Sequence, residues 1–153
     1  MPAKKKRLRS TCPLANALDI LGDRWTLLVL RDLVFYGKRE FNEFLNGGEG
    51  IATNVLAERL ERLCCSGLVT RHDHPTNGKK YVYRATRKGI DLIPTMVELV
   101  LWSERHLPEV KVPRERLEPL IKDKEGFIQG LRGNLLAELK MAERSHLSQA
   151  HPN

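Results

Sequence analysis

The sequence predicts a mainly α fold of the α+β class: several helices, one two-stranded β-hairpin and a helical extension at the C-terminal end. Three observations carry that expectation. Apolar side chains recur at helical spacing from Leu14 to Leu63, in stretches broken by Gly22, Gly37 and Asn46-Gly47-Gly48. Only Val69–Ala85 is rich in β-branched and aromatic residues, and it surrounds an Asn77-Gly78 dipeptide. Helical periodicity then returns beyond Thr86 and again after Pro113. A length of 153 residues allows one compact domain with an appendage, hardly two full cores.

In chain order, residues 1–11 read as a basic arm with nothing to bury. Helix one starts at Cys12-Pro13, with proline in its favoured first turn, carries Leu14, Ala17, Leu18 and Leu21 on one stripe, and stops at Gly22. Asp23 is placed to cap a second helix by accepting backbone N–H bonds. That helix holds Trp25, Leu27, Leu28, Val29, Leu30, Leu33 and Val34, apolar nearly all round, and is expected at the centre of the core. Phe41, Phe44 and Leu45 mark a short third helix. A fourth begins near Ile51–Thr53, buries Leu56, Leu60 and Leu63, and ends where Gly67 suits the left-handed C′ position and Leu68 folds back.

Strands Val69–His74 and Lys80–Ala85 follow, with the turn between them expected at Asn77-Gly78. Thr86 is a candidate N-cap of a long helix carrying Ile93, Met96, Val97, Val100 and Leu101. Pro94 lacks a backbone donor, so a kink is expected near Ile90–Pro94. Residues 114–147 continue a helical pattern through Phe127, Ile128, Leu131, Leu135, Leu136 and Leu139, loosened by Gly126, Gly130 and Gly133. The expected organisation is an arm over 1–11, a principal domain over 12–108 and a helical extension over 109–153.

Composition narrows the function. The hydrophobic fraction of 41% with 29% charged residues fits a globular chain rather than a disordered one. The longest purely aliphatic run, Leu27–Leu30, is far short of the roughly 20 residues that a membrane span needs. No apolar segment follows the basic start, so export is not expected. Cys12, Cys64 and Cys65 then read as reduced thiols of a cytoplasmic protein. The net charge of +7 is uneven: residues 1–10 carry +5, residues 50–90 carry +5, and the stretches 11–49 and 91–110 are negative. Positive charge gathered in blocks is what a polyanion binder needs, although a solvated basic face has the same look. No nucleophile elbow, HExxH pattern or phosphate-cradling glycine motif is present, so neither an enzyme nor a cofactor is expected.

Two short helices followed at once by a basic hairpin make a winged helix-turn-helix. The major groove, about 12 Å wide, admits one helix whose N-terminal residues reach base edges. The helix before it braces it, and the hairpin tip sets cations against phosphate or the minor groove. The string Cys12-Pro13…Leu21-Gly22-Asp23-Arg24-Trp25-Thr26-Leu27-Leu28-Val29-Leu30 resembles the opening of the HxlR-type winged-helix regulators. Arg39-Glu40-Phe41-Asn42-Glu43-Phe44, Gly50-Ile51 leading to Leu56…Arg59-Leu60…Leu63…Gly67-Leu68-Val69, and Tyr83-Arg84-Ala85-Thr86 with Gly89, Pro94 and Trp102 extend the likeness to about Trp102. It implies a dimeric DNA-binding transcription factor. Where that family usually has Ser-Pro-Arg, this chain has Ala52-Thr53-Asn54; its wing has Asn77-Gly78-Lys79-Lys80 in place of prolines and one arginine. An asparagine suits adenine where arginine would read guanine. Losing the serine cap costs helix four about 1 kcal/mol unless Thr53 takes over.

The candidate DNA-binding residues are Arg39, Thr53, Asn54, Ala57, Glu58, Arg62, Asn77, Lys79 and Lys80. Thr53 and Asn54 are candidate base readers. Arg62, Lys79 and Lys80 suit phosphate, because lysine acts as a point charge. Arg39 is either a phosphate contact at the third helix or a plain surface residue, and Arg59 either a DNA contact or an ion pair with a neighbouring helix. Tyr81 and Tyr83 read as packing. Cys12 is the candidate redox sensor, since a thiol at a helix N-terminus feels the positive end of the dipole and the family includes cysteine sensors at this Cys-Pro position. Its alternative is a structural cap or a small buried hydrophobe. Cys64 and Cys65 read as packing, and with His72 and His74 they lack the spacing of a zinc site.

The function read from all this is a sequence-specific regulator, repressor or dual, with no membrane association. It would bind a pseudo-palindromic site on double-stranded DNA as a homodimer, through residues 52–65 and a wing at 75–80, with a small-molecule or electrophile effector. Helix one, the helix over 87–107 and the extension are the expected dimer seam, with Val97, Val100, Leu101 and Trp102 on it. A protein-interaction module and a thiol-based redox protein without direct DNA binding remain as alternatives.

Overall fold

In the computed structural model, described over residues 8–149, Leu30 and Leu33 of the second helix are wholly enclosed and everything else is arranged around them. Residues 1–7 of the basic arm lie outside the described residues. The elements are α1 (Pro13–Leu21), α2 (Thr26–Phe35), α3 (Phe41–Leu45), α4 (Thr53–Cys65), β1 (Val69–His74), β2 (Asn77–Ala85), α5 (Arg87–Ile90), α6 (Ile93–His106), α7 (Arg114–Lys122) and α8 (Lys124–Gln149). A helix apolar on all sides is stable only when covered on all sides. α2 is covered by α1, α4, α6, α8 and the hairpin.

Asp23 starts α2 as expected: its Oδ1 accepts the backbone N–H groups of Trp25 at 2.8 Å and Thr26 at 3.0 Å, and its other oxygen accepts from the Thr26 hydroxyl. α4 ends in a Schellman turn. Gly67, at φ +74°, sits at C′; Leu68 N–H donates to Leu63 C=O at 3.0 Å and Gly67 N–H to Cys64 C=O at 3.0 Å, which returns Leu68 to the core.

β1 and β2 pair antiparallel with Val69 opposite Ala85 and Arg71 opposite Tyr83. The turn is not at Asn77-Gly78. It falls at Pro75-Thr76, His74 pairs with Asn77, and residues 78–80 bulge before Asp73 meets Tyr81. The cross-strand fit of the inner residues overrides the local dipeptide signal, because a one-residue slip of register would turn Tyr83 and Ala85 away from the core they share with Val69. The backbone before α3 adds to the open edge: Tyr83 N–H donates to Arg39 C=O at 2.9 Å, and Glu40 forms a bridge with Val82.

The long helix expected after Thr86 is two helices. α5 is capped by the Thr86 hydroxyl, which accepts from Gly89 N–H at 3.2 Å, and the chain breaks at Asp91-Leu92. Pro94 therefore lies in the first turn of α6, where its missing N–H is harmless, instead of kinking a continuous helix. Gly89 has no room for a side chain, since a Cβ there would stand 2.2 Å from Leu68 C=O. α7 and α8 fold back onto the same core through Leu120, Ile128 and Leu135, and Phe127 stacks on Phe35 of α2 with ring centres 6.3 Å apart. No helix among the described residues is long and apolar enough to cross a membrane.

Val97 was expected on a dimer seam, but it is fully buried in the protomer's own core. The apolar residues that α6 leaves in solvent are Leu99, 48% exposed, and Trp102, 51% exposed. α1 buries no residue at all, and Leu14 and Leu18 stand 68% and 55% exposed.

Candidate nucleic-acid interface

The helical period fixes the two faces of α4. Leu56, Leu60 and Leu63 point inward, so Thr53, Asn54, Ala57, Glu58, Glu61 and Arg62 must point outward, and all six are exposed with the described chain in place. Gly50, at φ +74°, turns the chain into the helix, and buried Ile51 anchors the entry. Ala52 takes the N-cap position with no side-chain hydrogen bond, and Thr53 is the first helical residue rather than a substitute cap.

The two readings of Arg59 resolve to an ion pair. Its Nε lies 2.9 Å from Asp23 Oδ1 and its Nη1 2.9 Å from Glu58 Oε1, which ties α4 to the start of α2. The Asp23 carboxyl feels burial, which pushes it up. The Thr26 hydroxyl, the Trp25 and Thr26 N–H groups and Arg59 outweigh that and hold it below the ordinary range. Arg62 forms no ion pair among the described residues and stays free on the outer face.

On the wing, Asn77, Lys79 and Lys80 are exposed. Asn77 Oδ1 accepts from Lys79 N–H at 3.1 Å and shapes the bulge, leaving the Lys79 ammonium without an ion pair among the described residues. Lys80 Nζ donates to Glu40 Oε2 at 2.7 Å, and His74 Nε2 lies 3.4 Å from Glu40 Oε1, so the wing is tied to the start of α3. The Lys80 hydrogen bond holds the Glu40 carboxyl below its usual value.

Arg39 is not brought to this surface group. It donates to both carboxylate oxygens of Glu138 in α8 and, through Nη1, to Leu33 C=O at 2.8 Å and Lys38 C=O at 2.9 Å. Tyr83 packs as expected, edge-on to Phe44 with centres 6.1 Å apart. Tyr81 does not: it is exposed and carries the Arg71 guanidinium 4.4 Å from its ring centre. Arg71, absent from the candidates named above, adds a held cation on the flank of a cleft of about 780 Å³ between α4 and the hairpin. The readable signal was diagonal cross-strand placement, since Arg71 faces Tyr83 and lies two positions from the partner of Tyr81.

The thiols differ from one another. Cys12 is exposed as the N-cap of α1, so it is not a buried hydrophobe, and it makes no side-chain cap; its N–H donates to Ser10 Oγ at 3.0 Å. Arg9, the described cation nearest in sequence, is engaged by Asp19 at 2.7 Å. Cys64 is half-buried, and burial raises its pKa. Cys65, expected to pack, is exposed at the last turn of α4 because the inward position there belongs to Leu63.

The geometry has relatives. A family model described as HxlR-like helix-turn-helix matches residues 20–111. An uncharacterized HTH-type transcriptional regulator of Mycobacterium tuberculosis is 36% identical over 102 residues, covering 67% of this chain and 63% of its own length. The matched part of the chain thus spans under two thirds of that relative. The solved structure of PA1607 superposes with a TM-score of 0.63 at 34% identity, over 69% of this chain and 74% of that one. The reduced form of the transcriptional regulator YodB from B. subtilis gives a TM-score of 0.54 at 28% identity, over 67% and 100%. The redox regulator HypR in its oxidized form gives 0.54 at 28%, over 66% and 100%.

Proposed function

We propose that this chain, which belongs to the HxlR-like helix-turn-helix family, regulates transcription by binding double-stranded DNA as a homodimer. One observation carries the reading. The polar face of α4 and the Lys79–Lys80 bulge of the adjoining hairpin are both exposed with α7 and α8 in place. In this arrangement α4 enters the major groove with Thr53 and Asn54 leading, Ala57 and Glu58 face the base edges one turn on, and Arg62 reaches phosphate. Asn77, Lys79 and Lys80 follow the strand alongside, and Arg71 joins them. Arg39 acts behind this surface as a brace. The exposed apolar faces of α1 and α6 support the dimer, because Leu14, Leu18, Leu99 and Trp102 form surface that a second copy would cover. Two-fold symmetry then sets a pseudo-palindromic site with half-sites about one helical turn, 34–36 Å, apart.

Selection of bound duplexes from a random pool tests this reading. The expected result is an inverted repeat, with Asn54→Ala changing the preferred base at one position in each half. Absence of any enriched symmetric sequence, or an equal loss on every duplex for Asn54→Ala, overturns the recognition role of α4.

A second feature of the same reading is thiol response. Cys12 is exposed at the start of α1, a helix assigned to the dimer, and two proteins of similar fold are described by their redox states. Running the selection with and without diamide, on the parent and on Cys12→Ser, tests it. An oxidant effect that persists in the Cys12→Ser variant excludes Cys12 as the sensor.

A further inference from the structure

A cleft of about 340 Å³ opens where the end of α2 meets α6, α7 and α8. Its floor is apolar, formed by Phe35, Val97, Val100, Leu120 and Phe127. The size lies at the lower end of small-ligand sites, which bury flat apolar groups and fix them with a few polar ones. Much of this wall is supplied by α7 and α8, beyond the residues that the family model matches.

The mouth is rich in donors. Tyr36 is exposed there, with Arg31, Lys38 and Arg116 placing their charged groups 5.6, 6.0 and 5.3 Å from its ring centre. Arg31 is committed to Asp32 and Glu49, and Lys38 to Asp32. Arg116 differs. It donates to Tyr36 Oη at 3.4 Å and has no ion pair among the described residues. Its remaining N–H groups and the Tyr36 hydroxyl proton are thus donors without acceptors at the edge of an apolar slot. Glu115 lines the same cleft and is the one acid there that opposes an anion.

We propose that this cleft binds an amphipathic carboxylate, an aromatic ring or short apolar chain lying against Phe35, Val100 and Phe127 with its carboxylate on Arg116 and Tyr36. The ligand acts as an effector, a role that rests on the DNA-binding reading; binding itself does not. Val97 and Val100 face the cleft while Leu99 and Trp102 lie on the opposite side of α6, as the helical period requires. A ligand wedged under α6 therefore bears on the helix that presents the apolar dimer face.

Calorimetric titration of the full chain with 2-naphthoate, its neutral amide and 2-naphthylmethylamine tests the assignment. The carboxylate is expected to bind roughly tenfold more tightly than the amide, the amine least, and Arg116→Ala to abolish the preference of acid over amide. Glu115→Gln should tighten the carboxylate severalfold, and Val100→Trp should remove binding of all three by filling the slot. Equal affinities for acid and amide, a preference that survives Arg116→Ala, or no binding of any probe overturns the site. The effector role has its own readout. Saturating 2-naphthoate should change the midpoint of DNA binding at least threefold, and an unchanged midpoint overturns that role. A protein that binds the acid but no duplex at all leaves the cleft assigned and removes the DNA-binding reading instead.

Discussion

Arg39 and Glu138, 99 residues apart in sequence, meet in a two-pronged ion pair: Nε donates to Oε1 at 2.9 Å and Nη2 to Oε2 at 2.7 Å. Arg84 approaches the same carboxylate at 3.8 Å. The Arg39 hydrogen bond is the main cause that holds the Glu138 carboxyl below its usual range, against an opposing effect of burial. Because Arg39 also carries the backbone bridge to Tyr83, the pair joins α8 to the frame of the wing.

Glu138→Ala should therefore lower stability in urea by about 1 kcal/mol, a figure reduced for the solvent exposure of the carboxylate. Two largely buried arginines, Arg39 and Arg84, are left side by side without their shared carboxylate, so amide exchange at Tyr83 and Val82 should rise in the same variant. A loss of stability with unchanged exchange on β2 would show that the pair merely pins α8.

The wing lysines differ in what they hold before any DNA arrives. Lys79 has no ion pair among the described residues, whereas Lys80 must leave Glu40 to reach a phosphate. Lys79→Ala should reduce the slope of log affinity against log salt by about 0.9, and Lys80→Ala by less. Glu40→Gln should raise affinity on every duplex alike. A slope left unchanged by removing both lysines takes the wing off the backbone.

The N-cap of α4 is an unfilled position. Ala52 already has the extended backbone of a cap, φ −73° and ψ 148°, and lacks only an oxygen. Ala52→Ser should supply an acceptor for the N–H groups of the first turn and stabilise the chain by about 1 kcal/mol in chemical denaturation. A change near zero would mean that water already satisfies those donors at no net loss.

What was legible in the sequence was what local rules decide. The Leu56–Leu60–Leu63 stripe fixed which face of α4 is outside, and the Gly67-Leu68 pair fixed how it ends. The turn at Pro75-Thr76 was not legible, because the register is set by Tyr83 and Ala85 packing inward rather than by the Asn77-Gly78 dipeptide. The break at Asp91-Leu92 was hidden for a related reason: Pro94 suits a first turn as well as a kink. Val97 was misplaced because a helix apolar on two sides does not reveal which side its own chain covers, and here the covering elements are α2 and α8. The commitment of Arg39 depends on a partner in the last helix, and no local pattern announces it.

The far end of α8 meets β1 through a histidine pair, with the rings of His72 and His146 5.1 Å apart and inclined by 26°. Burial first, then the Arg84 charge and His146, hold the His72 imidazole below its ordinary 6.5, while Asp73 pulls it up. A histidine with a lowered folded value is kept neutral in the native state while the unfolded chain already takes up its proton. Its contribution to stability is therefore fully present above about pH 6.5 and is lost as pH falls through the lowered native value. The carboxyls of Glu43 and Glu138 have pKa values lowered from 4.5, so their own losses come in more acid solution. Urea midpoints measured from about pH 7 to 5 should fall for the parent and fall less steeply for His72→Gln, which cannot titrate. Exchange at the last turns of α8 should rise over the same interval. An identical slope in the two proteins would assign the acid sensitivity to groups other than this pair.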